Sequence, residues 1–215
     1  MKKAVIFDLD GTLLDTLADI ADSMNEALTL MDCPPHPFDA YRHFVGDGME
    51  MLVRRVLPRE DEAMVSRCMT LMKQCYGKGW NRKTKPYDGI VPLLDELGAR
   101  GITLCVLSNK PHEFTVKSVA EYLGLERFER VVGVSTETPR KPDPTGLERI
   151  LAELSLTADE ILYVGDTNTD MITATTVGAF AVGVDWGFRP RAELESNGAD
   201  AILEHPLGLL NLLEL

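Results

Sequence analysis

Paired aspartates at the end of an apolar run are the residues of this chain best suited to chemistry. Asp8 and Asp10 stand in Asp8-Leu9-Asp10-Gly11-Thr12, directly after Ala4–Phe7. A turn at Gly11 would let both carboxylates face the same space. Two carboxylates so close need a cation, and Mg²⁺ prefers carboxylate oxygens, waters and a substrate phosphate. We therefore predict a Mg²⁺ site, with Asp166 of Gly165-Asp166-Thr167 as the further carboxylate. The alternative is a structural turn in which Asp8 and Asp10 bind their own backbone.

Two further segments carry groups that suit a phosphate. Ser108-Asn109-Lys110 follows the apolar run Ile102–Leu107 and precedes a predicted helix, so its hydroxyl, amide and backbone N–H groups could form an anion site. Plain helix capping by Ser108 or Asn109 is the alternative. Prolines stiffen the backbone after Lys141 in Arg140-Lys141-Pro142-Asp143-Pro144. A rigid lysine would offset repulsion between aspartates and hold a phosphate, although an ordinary exposed loop lysine fits the same pattern.

The elements that must position these residues alternate between strand and helix. Predicted strands are short runs rich in branched apolar residues: Ala4–Phe7, Ile102–Leu107, Val131–Val134, Ile161–Val164 and Ala179–Val184. Predicted helices lie at Val91–Arg100, His112–Leu123, Pro144–Leu154 and Asp170–Val177. Near-continuous apolar strands are typical of a parallel sheet buried on both faces. The alternation predicts an α/β fold with a doubly wound parallel sheet, whose ligands bind beyond the carboxyl ends of the strands.

One stretch, from about Thr16 to Lys85, carries helical patterns and no strand signal. Its predicted helices are Leu17–Met31, Met49–Leu57 and Glu60–Tyr76. Gly77-Lys78-Gly79 and then Asn81–Pro86 are typical of a linker back to the core. We therefore expect a catalytic core, residues 1–14 and 87–215, and an all-helical insert, residues 15–86, that could move as a lid.

Composition excludes several classes of partner. The 215 residues carry a net charge of −12, which argues against nucleic acid because its phosphates are bound by clustered Lys and Arg. No run approaches the roughly 20 apolar residues that span a bilayer, so no membrane partner is expected. Four cysteines without a CxxC pair indicate free thiols in a reducing compartment. We expect a cytoplasmic protein, as a monomer or a homodimer.

The order of the motifs resembles that of the haloacid dehalogenase superfamily of phosphotransferases. DxDGT, SN, KPDP and GDxxxD follow one another here at Asp8, Ser108, Lys141 and Asp166, and the resemblance spans essentially the whole chain. It implies a Rossmann-like core with a small helical cap domain inserted after the first strand. Within the superfamily the chain is most similar to the phosphoglycolate phosphatases, through Val45-Gly46-Asp47-Gly48 and the segments around Ser108, Lys141 and Asp166.

The resemblance implies Mg²⁺-dependent hydrolysis of a small phosphate monoester, a metabolite such as 2-phosphoglycolate, through an aspartyl-phosphate. Asp8 matches the nucleophile and Asp10 the general acid–base, which would meet the metal through its backbone carbonyl. The implied metal residues are Asp8, Asp10 and Asp166, and Lys141 is the third catalytic residue. Thr12, Ser108 and Asn109 would bind phosphoryl oxygens or orient the acids. Asp170 would either contact the waters of the metal or serve as an acid at a helix N-terminus.

Substrate choice is expected in the insert. Gly48 precedes a predicted helix, so N–H groups there could face the site, and Arg54 or Arg55 could bind a carboxylate or a second phosphate. Arg55 is our candidate; a solvated helix face is the alternative for both arginines.

Other functions remain compatible with the motifs. A sugar-phosphate mutase would use the same chemistry at Asp8 and return the phosphoryl group to substrate. Hydrolytic dehalogenation, in which the aspartate attacks carbon, is disfavoured because Asp10 and Asp166 would have no role in it. A non-catalytic binding protein on the same fold is the third alternative, against which the complete set of acids and Lys141 argues.

Overall fold

A parallel β-sheet forms the centre of the molecule, which was analysed as a computed structural model that describes residues 2–59 and 61–215. Its strands run in the spatial order β5-β4-β1-β6-β7-β8. Their bounds are β1 Ala4–Phe7, β4 Thr103–Pro111, β5 Arg130–Val134, β6 Ile161–Gly165, β7 Phe180–Val184 and β8 Ala201–Leu203. Strand β1 pairs in parallel with β4 on one side and β6 on the other. The α/β fold with a parallel sheet is thus confirmed.

Both faces of the sheet are buried, because successive residues of a strand point to opposite sides. Val5 and Phe7 belong to one hydrophobic cluster, and Ala4 and Ile6 belong to another. The first cluster receives α5 (Ile90–Ala99) and α6 (His112–Tyr122), and the second receives α7 (Thr145–Leu154) and α8 (Asn168–Val177). Helices on both faces make the sheet doubly wound.

Helices fill the chain between two short strands, β2 (Leu14–Asp15) and β3 (Lys85–Pro86). They are α1 Leu17–Thr29, α2 Tyr41–Phe44, α3 Gly48–Val56 and α4 Glu62–Gly79. Their apolar faces share a hydrophobic cluster separate from those of the sheet. Helix α4 continues through Gly77 and Gly79, so the predicted linker was wrong there; the last turns of the helix accommodate both glycines. The predicted start of this helix at Glu60 lies outside the described residues.

The two connections of the helical insert lie side by side. Strands β2 and β3 pair antiparallel, with Leu14 opposite Pro86. The buried carboxylate of Asp19, near the start of α1, accepts backbone N–H groups from Arg82, Lys83 and Thr84 at 2.8–3.0 Å. The exit and the return of the chain are therefore held together at a narrow neck.

The sequence-based expectations missed several short strands and helices, among them β2, β3, α2, β8 and α9 (Arg191–Ser196). Each of these is six residues or shorter, too short to carry a periodic pattern of its own. Within residues 2–59 and 61–215, no helix has the length and apolar character needed to cross a bilayer.

Candidate active site

The predicted motifs meet at the carboxyl ends of three neighbouring strands. Asp8 follows β1, Ser108 and Asn109 lie near the end of β4, and Asp166 follows β6. Because β1 lies between β4 and β6 in a parallel sheet, these ends share one edge. Lys141 arrives from the loop that precedes α7.

Three buried carboxylates, Asp8, Asp166 and Asp170, form a cluster in which one oxygen of each lies within 4.8 Å of the others. Asp166 accepts the hydroxyl of Thr12 at 3.2 Å and the backbone N–H of Phe188 at 2.8 Å. Asp170 accepts the N–H and hydroxyl of Thr167 at 3.1 and 2.7 Å. Asp8 Oδ1 is buried and has no well-directed hydrogen bond within the described part of the chain.

Lys141 provides the cation inside this carboxylate cluster. Its Nζ lies 2.9 Å from Asp8 Oδ1 and 2.6 Å from Asp170 Oδ1, with the lysine side chain only 2% exposed. It also donates to the carbonyl of Leu107 at 2.9 Å. Burial alone would lower the pKa of Lys141, but Asp170 and Asp8 outweigh burial and raise it. The ammonium therefore persists at neutral pH.

One ammonium does not balance three buried carboxyl groups. Burial, opposed by Lys141 and reinforced by Asp170, raises the pKa of Asp8 to about 7. Burial and then repulsion from Asp8 raise the pKa of Asp166 well above its ordinary value. The cluster thus lacks positive charge. A hard divalent cation with a preference for oxygen, such as Mg²⁺, fits this set of carboxylate oxygens.

The side chain of Asp10 lies apart from the carboxylate cluster. Both of its oxygens accept hydrogen bonds from Lys110 Nζ, at 2.9 and 3.0 Å. The ammonium group of Lys110 also lies 4.8 Å from the ring centre of Tyr76. No role was predicted for the Lys110 side chain, although its position two residues after Ser108, at the end of a strand, was an available signal.

The other polar residues of the motifs orient the acids and the loops. The Thr12 hydroxyl is directed at Asp166. Ser108 lines a cavity between the core and the insert, which is described below, and its Oγ accepts the N–H of Lys110 at 3.3 Å. The Asn109 amide bridges three backbone groups, accepting from Lys141 N at 2.7 Å and donating to the carbonyls of Lys141 and Gly46 at 3.1 and 3.0 Å. Asn109 thereby links the strand end, the lysine loop and the insert.

Two glycines allow the close approach of backbone to Asp166. A Cβ on Gly11, whose φ is +88°, would lie 2.2 Å from Asp166 Oδ2, and one on Gly187 would lie 2.3 Å from Asp166 Cβ. A side chain at either position would displace the carboxylate. The glycine of the DxDGT motif, Gly11, is therefore required because Asp166 of the GDxxxD motif packs directly against it.

A cavity of about 50 Å³ lies between the carboxylate cluster and the insert. Its walls include Asp8, Asp10, Asn109, Gly48 and Lys110, together with apolar side chains of the insert. Gly48 lies against Asn109, whose carbonyl oxygen would be 3.1 Å from an added Cβ. Arg55 is absent from the cavity wall; its guanidinium binds the Asp47 carboxylate and the Phe44 carbonyl. The structure therefore brings Gly48 to the site, whereas Arg55, on the same helix α3, is engaged by Asp47 and Phe44 instead.

A segment after β7, residues 186–189, connects the core to the insert. Trp186 Nε1 donates to the carbonyl of Thr12 at 3.0 Å. Phe188 donates its N–H to Asp166, while its side chain packs in the hydrophobic cluster of the insert. Arg189, 7% exposed, donates to the carbonyl of Val45 at 2.8 Å. The position of Asp166 is thus tied to the packing of the insert.

Comparison with known proteins finds similarity over the core and the insert alike. The sequence profile of the haloacid dehalogenase-like hydrolases matches residues 5–184. A phosphoglycolate phosphatase of Rhodospirillum rubrum is 37% identical over 213 residues, 95% of this chain and 88% of that protein. One from Mesorhizobium japonicum is 32% identical, with 94% and 90% covered. The crystal structure of a predicted phosphatase from Clostridium acetobutylicum superposes with a TM-score of 0.90 at 26% identity over 100% of both chains.

Proposed function

This chain belongs to the haloacid dehalogenase-like hydrolase family and is a phosphoric monoester hydrolase within it, and we propose that it hydrolyses a short phosphorylated acid of the 2-phosphoglycolate type. The reaction would use Mg²⁺ and an aspartyl-phosphate on Asp8. The observation that carries this proposal is the contact of the buried Asp8 carboxyl with Lys141, beside Asp166 and Asp170. The names of the relatives from R. rubrum and M. japonicum support the choice of substrate.

Asp8 is the nucleophile in this scheme. One of its oxygens attacks phosphorus, the bond from phosphorus to the ester oxygen breaks, and the phosphoryl group is held on Asp8. Water then attacks phosphorus, the bond to Asp8 breaks, and inorganic phosphate leaves. Because the phosphoryl group is transferred first to Asp8 and then to water, one difficult step is replaced by two easier ones. Lys141, in contact with Asp8 Oδ1, favours the ionised carboxylate and the negative charge on the phosphoryl oxygens.

Asp10 is the general acid and then the general base. It would give its proton to the leaving oxygen in the first displacement and take one from the attacking water in the second. Lys110 fixes the orientation of the Asp10 carboxyl through contacts to both oxygens. A group that moves protons must be held within hydrogen-bond reach of the reacting oxygen, so Lys110 acts here as a positioning residue.

Asp8 and Asp166 are the side chains we assign to Mg²⁺, with the Asp10 backbone carbonyl as a further ligand. Both oxygens of Asp170 are engaged by Lys141 and Thr167, so Asp170 orients Lys141 beside the metal ligands. When bound, Mg²⁺ neutralises charge between the nucleophilic carboxylate and the phosphoryl oxygens. Thr12 and the Phe188 N–H hold Asp166 in place for this purpose.

We assign residues 15–86 to a cap that opens for substrate. A cavity of about 50 Å³ holds only a few water-sized volumes of roughly 10–15 Å³ each. We infer that the insert moves away from the core to admit a phosphate ester to Asp8. The neck formed by β2, β3 and Asp19 is the natural hinge, because both connections of the insert pass through it. Ser108, Asn109 and the N–H groups around Gly48 would then close on the phosphoryl group.

Release of inorganic phosphate from a panel of small esters tests the proposal. The wild type and Asp8→Asn should be compared with Mg²⁺ and with EDTA, using 2-phosphoglycolate, a sugar phosphate and a nucleoside monophosphate. We expect Mg²⁺-dependent release from the acid that is lost in Asp8→Asn. Reduction of the reacting enzyme with borohydride, followed by peptide mapping, should mark Asp8 as the phosphorylated residue.

Two controls separate this reaction from its alternatives. Asp39→Asn removes an exposed carboxyl of the insert and should retain activity. Conversion of a sugar phosphate to its isomer without phosphate release would identify a mutase instead. A reduced adduct on any residue other than Asp8 would refute the assigned nucleophile.

A further inference from the structure

Tyr76 places a buried hydroxyl at the cavity without a partner. The residue belongs to α4 of the insert, is 2% exposed and lines the cavity beside Asp10 and Lys110. Within the part of the chain that the structure describes, Tyr76 Oη has no hydrogen-bond partner. A buried hydroxyl left unpaired costs free energy. At the wall of a substrate cavity, such a group indicates that the ligand supplies the partner.

Lys110 offers a second donor at the same wall. Two of its three N–H groups are directed at the oxygens of Asp10, and its Nζ lies 4.8 Å from the ring centre of Tyr76, so Lys110 and Tyr76 present donors side by side. Burial alone would lower the pKa of Lys110, but Asp10 and Tyr76 outweigh it and raise the pKa. Burial raises the pKa of Tyr76 to about 12, with part of that rise offset by Lys110. Both groups therefore remain donors at neutral pH.

Apart from Tyr76 and the glycines Gly46 and Gly48, the wall on the side of the insert consists of apolar side chains. They are Ile20, Val45, Met49, Leu52 and Met72. An anion with several unpaired oxygens would lose hydration against such walls without replacement. Two donors, one neutral and one cationic, match the two oxygens of a single carboxylate.

We propose that Tyr76 Oη and Lys110 Nζ together bind the carboxylate of the substrate's leaving group. This inference rests on the proposed function and adds the residues that select an acid over a neutral ester. Lys110 comes from the core and Tyr76 from the insert, so the carboxylate site is complete only when α4 packs against the end of β4. Arg55, the cation expected in this role from the sequence, is engaged by Asp47 and Phe44.

The test compares two substrates that differ only at the carboxyl group: 2-phosphoglycolate and the phosphate ester of glycolamide, whose carboxamide is uncharged. The ratio of their kcat/KM values is measured for the wild type, Tyr76→Phe and the matched control Tyr41→Phe. Tyr41 is also buried in the insert, but its hydroxyl already binds Asn25 at 2.7 Å. We expect the wild type to prefer the acid, and Tyr76→Phe to lose about tenfold or more of this preference, the usual effect of removing a hydrogen bond to a charged group.

The loss should come mainly from a higher KM for the acid, whereas Tyr41→Phe should keep the wild-type ratio. Equal kcat/KM values for the two esters in the wild type, or an unchanged ratio in Tyr76→Phe, would overturn the carboxylate site while leaving the phosphatase function intact. If the wild type releases phosphate from neither ester, the proposed substrate class is refuted and the carboxylate site with it.

Discussion

Replacement of Asp8 by asparagine should abolish activity and yet make the metal-free fold more stable at neutral pH. Burial raises the pKa of Asp8 from 3.8 to about 7, so the native state holds this proton more tightly than the unfolded chain does. The stability contributed by the group is fully present below about pH 4 and is lost as the pH rises through about 7. Above that pH the buried charge destabilises the fold.

The size of the effect follows from the shift. The difference between about 7 and 3.8 is about 3.2 pKa units, which at roughly 1.36 kcal/mol per unit is about 4 kcal/mol. About 2–3 kcal/mol of this is lost between pH 5 and pH 8. The amide of Asp8→Asn does not titrate. The variant should therefore lose about 2–3 kcal/mol less than the wild type over the same interval.

Urea unfolding in EDTA at pH 5 and pH 8 measures this difference. Asp39→Asn is the matched control, since it removes one negative charge from an exposed position of the insert. Addition of Mg²⁺ at pH 8 should reverse the order of stability, because a ligand that binds only the native state stabilises it and Asp8→Asn has lost a ligand. The same pH dependence in the wild type and Asp8→Asn, measured in EDTA, would refute the argument that burial disfavours the Asp8 carboxylate.

Three further results are expected. The affinity for Mg²⁺, measured by calorimetry, should rise as the pH increases through about 7, because the metal competes with the protons that burial favours on Asp8 and Asp166; a flat profile would contradict this assignment. Lys141→Met should lower the free energy of unfolding by about 3–5 kcal/mol, since it leaves Asp8 and Asp170 buried without their cation, whereas the exposed Lys117→Met should change it little. Gly11→Ala should cost at least about 1–2 kcal/mol for its left-handed backbone and weaken Mg²⁺ binding through its clash with Asp166; an unchanged affinity in a folded Gly11→Ala variant would show that Asp166 tolerates displacement.

The fold and the central residues of the site could be predicted because local patterns specify them. The apolar runs at Ala4–Phe7, Ile161–Val164 and Ala179–Val184 coincide with strands β1, β6 and β7 to within one residue at each end. Asp8, Ser108 and Asp166 follow such runs, and parallel strands bring their carboxyl ends to one edge. The positions of these residues directly after parallel strands therefore predicted that their side chains lie at one edge of the sheet.

Contacts between distant segments could not be predicted in the same way. Lys110 binds Asp10 across 100 residues of chain, and Trp186 binds the carbonyl of Thr12 across 174. The role expected for Arg55, binding of a substrate carboxylate or a second phosphate, also depends on such contacts: its guanidinium is engaged by Asp47. None of these pairs leaves a periodic signal, because each depends on how two loops pack.

The sequence by itself determined the order of the strands and helices, the identity of the acids and the lysine, and the edge of the sheet at which they gather. Hydrophobic periodicity and turn residues act over a few positions, and they suffice for those features. The tertiary structure alone decided that Asp170 joins Asp8 and Asp166, that Asp10 is held by Lys110, and that Tyr76 faces the cavity. Burial and proximity are properties of the packed chain, and they set the charge balance of the site only after distant segments have come together.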